Sequence, residues 1–114
     1  MSFKEAELKR DGILLKVSLL EMDNATVAFF FENEMTLGTV AFALPRSGSG
    51  ADIGTSSVLI GGRYLIVSRA LAERVSAAFG KMSLVSVRTT LPEGEALRLF
   101  AKLLEDVVSR KTKT

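Results

Sequence analysis

The chain predicts an α+β fold: residues 1–114 form one domain, built as an antiparallel meander sheet of about six strands with two, at most three, helices. Three observations carry this. Closely spaced turn signals, Asp11-Gly12, Asp23-Asn24 and Asn33-Glu34, separate runs rich in β-branched and aromatic residues. A helical pattern with Leu71, Val75 and Phe79 on one side stops at Gly80. The last stretch repeats apolar residues at helical spacing after Pro92. Short turns favour antiparallel neighbours over βαβ crossovers.

The elements follow in order. Residues 3–9 are weakly strand-like. Asp11-Gly12 fits a two-residue hairpin, since a type I′ turn needs positive φ at both central positions. Residues 13–21 then alternate, with Ile13, Leu15, Val17 and Leu19 on one side and Leu14, Lys16, Ser18 and Leu20 on the other. Residues 25–32 form a strand with Val27, Phe29 and Phe31 on one face. Residues 36–44 form another, ended by Pro45, which cannot donate to a ladder. Arg46 to Thr55, rich in Gly and Ser, reads as a flexible loop, and residues 57–60 as a short strand. Arg63 to Val67 extends that strand or leads into a helix. Ser68 is the expected N-cap of a helix over 69–79, with Gly80 at its left-handed stop. Residues 82–88 are the sixth strand. The final helix places Leu97, Phe100, Ala101, Leu104, Val107 and Val108 on its inner face, and Leu99 and Leu103 widen that face.

Composition narrows the chemistry. The 114 residues contain no Cys and no His. Disulfides, thiol catalysis, Cys-type zinc sites and Ser-His or Cys-His pairs are therefore impossible. The net charge of +2 has no clustered basic face with stacking aromatics, so no nucleic-acid partner is expected. No apolar run approaches the roughly 20 residues of a helical membrane span, and the N-terminus lacks the apolar core of a signal peptide. No membrane association and a cytoplasmic location are the expectation.

Single features point to no reaction. The Gly-rich stretch Ser47 to Gly54 lacks the Lys-Ser or Lys-Thr of a phosphate loop, and a strand follows it where a helix should. Ser56 and Ser57 would need a lysine partner. Lys81 is the nearest downstream, and no motif links them. The carboxylates lie at turns and strand ends. Catalytic residues, metal ligands and cofactors are expected to be none. The physical anomaly lies elsewhere: at 47% hydrophobic residues, the strands are apolar on both sides. Two arrangements satisfy this. Either the helices cover opposite faces of the sheet, or they share one face and a partner covers the other.

The order and spacing of four segments resemble the proteasome-assembly chaperones, small subunits of the third and fourth type. The segments are Thr36-Leu37-Gly38 opening an apolar strand to Leu44; Ser57-Val58-Leu59-Ile60-Gly61; Leu71-Ala72-Glu73-Arg74; and Met82 to Val87 followed by the last helix. The resemblance spans about Leu14 to Val108. It implies a non-enzymatic chaperone that pairs with itself or with a paralogous subunit and transiently binds a 20S proteasome α-subunit during ring assembly. The segment from Gly62 to Val67 is more apolar than the polar linker of the eukaryotic members and suits an archaeal or otherwise divergent homologue. Arg46, Asp52 and Arg63, charged residues at loop positions, are the expected partner contacts. The alternative reading is a dimeric scaffold of roadblock, longin or profilin-like architecture in trafficking or signalling, although a roadblock scaffold would open with a helix.

Overall fold

The computed structural model describes residues 3–45 and 55–111. Six strands, β1 (Lys4–Arg10), β2 (Ile13–Glu21), β3 (Ala25–Glu32), β4 (Thr39–Leu44), β5 (Thr55–Ile60) and β6 (Met82–Val87), form one sheet in the order β1-β2-β3-β6-β4-β5. Helix α1 (Leu65–Phe79) joins β5 to β6, and α2 (Glu93–Lys111) follows β6. The α+β class, the six strands and two helices agree with the sequence.

The turns act as their residues require. Asp11 and Gly12 hold φ of 50° and 81°, the paired positive values of a tight hairpin turn. Asn33, at φ 60°, closes the other end of β2–β3: its backbone N–H donates to the Leu14 carbonyl at 2.8 Å, and its side-chain Oδ1 accepts from the Leu14 N–H at 3.2 Å.

The neighbour order departs from the expected meander. β3 and β4 do not pair. β6 lies between them, parallel to β3 and antiparallel to β4, so the sheet is mixed. Since β5 and β6 both run antiparallel to β4, β5-α1-β6 is a crossover that skips one strand. The cause is a close backbone approach. A Cβ on Gly38 would lie 2.1 Å from the Val87 carbonyl oxygen, so only glycine lets the chain entering β4 lie against the end of β6. The Gly38 N–H also donates to Ser86 Oγ at 2.9 Å.

Helix α1 begins before Ser68, which is therefore not its N-cap. Residue 64 takes the left-handed conformation, and Arg63 to Val67 is helix lead-in and first turn. Ser68 donates back to the Leu65 carbonyl at 3.2 Å. The cap comes from another helix: the Glu93 carboxylate accepts from the Ile66 and Val67 amides at 3.1 and 3.2 Å. Two free donors of the first turn are thereby satisfied, and a negative charge sits at the positive end of the dipole. Gly80, at φ 69°, ends the helix as expected, its N–H donating to the Ser76 carbonyl at 2.8 Å.

Both helices lie on the same face of the sheet. α1 packs on β4, β5 and β6, α2 packs on β1 and β2, and the helices touch each other. Beneath them lie Leu15, Val17 and Leu19 of β2, Phe30 of β3, Ala41 and Ala43 of β4, and Val85 and Val87 of β6. Phe30 meets Phe100 edge-on, ring centroids 5.5 Å apart. The inner face of α2 is rotated from the expected one. Ala96, Leu99 and Leu103 are buried at its centre, whereas Leu97, Ala101 and Val108 are only partly covered. α2 abuts both the sheet and α1, and the sequence shows one stripe without showing two neighbours.

Candidate partner interface

Helices cover one side, so the alternate residues of the strands face away from them, although Ser18, Phe31, Val40 and Ser86 among these are already buried within the chain. The strand registers bring these residues into rows. Leu20, Val27, Leu84 and Phe42 stand side by side across β2, β3, β6 and β4, with Ser57 of β5 at the end. A second row runs from Ser18 through Phe29, Ser86 and Val40 to Ile60. Neither row contains a charge. Leu84, Met82 and Leu44 keep 38%, 40% and 43% of their surface exposed, and Leu59 and Ile60 keep 56% and 59%.

The buried serines of this face are satisfied within the chain. Ser18, fully buried, donates to Glu5 Oε2 at 2.6 Å. Ser86 Oγ takes the Gly38 amide. Lys16 lies 5.9 Å from the centre of the buried Phe31 ring, and Phe3 leans on Phe29 with centroids 6.5 Å apart. The charged residues Glu5, Glu7 and Lys16 flank the β1 side of the face. The result is an uncharged apolar centre with a polar margin at one side, the anatomy of a protein interface.

Of the three residues expected to contact a partner, Arg46 and Asp52 lie outside the described residues. Arg63 is exposed. Its guanidinium lies 5.6 Å from the centre of the Tyr64 ring, and its carbonyl accepts from Thr39 Oγ1 at 2.5 Å. Tyr64 in turn donates to the Leu91 carbonyl at 2.6 Å, fixing this corner to the start of α2. Pro45 and Thr55, which bracket Arg46 and Asp52, sit at the opposite end of the β4–β5 pair from Arg63. Leu20, Val27, Leu84 and Phe42 were not foreseen as site residues. Their signal was present in the two-sided apolar strands, but which side stays open depends on where the helices pack.

The residues weighed for catalysis have other partners. Ser56 Oγ donates to Glu73 Oε2 and accepts from Arg69 Nε at 3.3 Å. Lys81 Nζ is held by Glu21 and the Met22 carbonyl at 2.8 and 2.7 Å. Among the described residues no group of three His, Cys, Asp or Glu side chains is placed to hold a metal. None of their helices is long and apolar enough to cross a membrane. The Ser47 to Gly54 stretch lies outside the described residues.

Fold and surface thus define a class: a six-stranded mixed sheet with both helices on one face and an apolar second face. Comparison with protein-family profiles and with characterised protein sequences gives no match. Among solved structures, a chain in the crystal structure of a novel chaperone complex for yeast 20S proteasome assembly has this fold. It matches with a TM-score of 0.66 at 13% identity, over 95% of this chain and 99% of that one. At that identity the likeness is one of fold, and it agrees with the resemblance read from the sequence.

Proposed function

We propose that this protein is a non-enzymatic, cytoplasmic assembly chaperone that pairs through its open sheet face, with itself or with a paralogous subunit, and transiently binds a 20S proteasome α-subunit during ring assembly. The observation that carries the reading is the end-to-end likeness of fold to a chain of a proteasome-assembly chaperone complex. The open face supports the pairing. Six strands about 4.8 Å apart and about 20 Å long offer a footprint of roughly 500–600 Å². Counted on both partners this is about 1,000–1,200 Å², the lower end of the range for specific interfaces.

An escort must leave once the ring closes, so capture of the α-subunit suits exposed polar positions better than the apolar face. Arg46, Asp52 and Arg63 are the residues assigned to that contact. The test is replacement of residues 46–52 by a Gly-Ser linker, followed by capture of recombinant proteasome α-subunits. The expected result is an unchanged melting temperature with weakened capture. Equal capture by the replaced and parent chains would reduce the segment to a connector. Absence of capture by the parent would move the scaffold alternative to first place.

A further inference from the structure

The two edges of the sheet are built differently. A sheet edge presents unpaired N–H and C=O groups to any extended chain, and charged side chains are a common guard. β1 carries five charges in seven residues, Lys4, Glu5, Glu7, Lys9 and Arg10, and Arg10 is pinned by an ion pair to Glu95 of α2. β5, with the sequence TSSVLI, carries none and has no proline. Among the described residues no element pairs with its outer side.

We propose that the outer edge of β5 is a docking site for an extended segment of a partner polypeptide, which adds to the sheet as a seventh strand. The backbone fixes the kind of ligand, because only a strand offers donors and acceptors at the matching spacing. The flanking side chains fix its character. On the helix side, Ser56 is held between Arg69 and Glu73 of α1, one charge of each sign at the lip of the edge. Toward the Gly61 end of the edge, Leu59 and Ile60 are more than half exposed. The added segment is therefore polar where it passes Ser56 and apolar where it passes the Leu59–Ile60 end of the edge. Its register is set by the regular part of β5, Thr55 to Val58, because the β4–β5 pairing shifts at Val40 and Ala41. This site is separate from the α-subunit contact assigned above and does not depend on it, since backbone pairing tolerates many sequences.

The probe is a synthetic peptide alternating Thr and Val over eight residues, with Lys at each end and a fluorophore, titrated onto the full chain by anisotropy. The control carries N-methyl groups at alternate amides, which remove its donors. Saturable binding that weakens at least about tenfold with the control is expected. Hydrogen exchange of the amides in Thr55 to Val58 that point away from β4 should slow when the unmodified peptide binds. The variant S57K, checked for an unchanged melting temperature, should bind at least about tenfold more weakly, since a charge now guards the edge. Absence of binding, equal binding of the methylated control, or protection confined to β2, β3 and β6 overturns the proposal. So does protection, in the free protein, of the β5 amides that point away from β4: if it fades on dilution, a second copy fills the edge, and if it persists, the chain's own residues do.

Discussion

The two faces of the sheet contain similar side chains and have different fates. Beneath the helices, Leu15, Val17, Leu19 and Phe30 are completely buried, each contributing on the order of 1.5–3 kcal/mol of transfer free energy. On the open face, Leu20 of β2, Val27 and Phe29 of β3 and Phe42 of β4 are only half-buried. Residue type does not separate the faces; the placement of the helices does. A sheet needs apolar residues on one face to fold, and apolar residues on the second call for a further cover. The covered face therefore accounts for folding, and the open face is the one we assign to association.

The largest expected effect lies under the helices. Val75 is fully buried on α1, one turn from both Leu71 and Phe79. Val75→Asp would bury an unpaired carboxylate at a cost of several kcal/mol, comparable to the whole stability of a small domain. Loss of the cooperative melting transition is expected. A melting temperature within a few degrees of the parent would mean that this helix face does not carry the core.

Gly38→Ala comes next and tests the crowding that joins the β4 and β6 halves of the sheet. Its methyl group would overlap the Val87 carbonyl, and steric overpacking of this kind costs about 1–3 kcal/mol. Gly62→Ala, where nothing lies within 4 Å, is the matched control and should cost much less. Equal losses in chemical denaturation would show that the close approach at Gly38 is not a constraint.

A smaller effect is expected at the cap supplied across the helices. Glu93→Ala leaves the Ile66 and Val67 amides without their acceptor and should cost about 1 kcal/mol, with faster hydrogen exchange limited to the first turn of α1. Unchanged exchange there would show that solvent caps the helix as well as Glu93 does.

How much of this the sequence reveals depends on how local each signal is. β2 and β3 match their expected bounds because alternation and the Asp11-Gly12, Asp23-Asn24 and Asn33-Glu34 turns are local. Gly80 was legible for the same reason. The insertion of β6 between β3 and β4 was not, because it rests on contacts between Gly38 and residues 86–88, far along the chain. The start of α1 was misplaced because its cap comes from Glu93 and no residue beside it announces the helix. Phe30 shows the limit at the open face. The sequence places Phe30 opposite Phe29 and Phe31, but only the helix packing shows that Phe30 faces the core and Phe29 the open side.

Sedimentation equilibrium on the parent and on Leu84→Glu tests the central claim most directly. Leu84 stands in the middle of the uncharged row and is exposed in the single chain, so a carboxylate there is solvated in a monomer and buried without a partner in a dimer. The account predicts twice the 12.3 kDa chain mass for the parent at micromolar concentration and 12.3 kDa for the variant, with the same helical circular dichroism. A parent that stays at 12.3 kDa at high concentration, or a variant that dimerises as tightly as the parent, would contradict it.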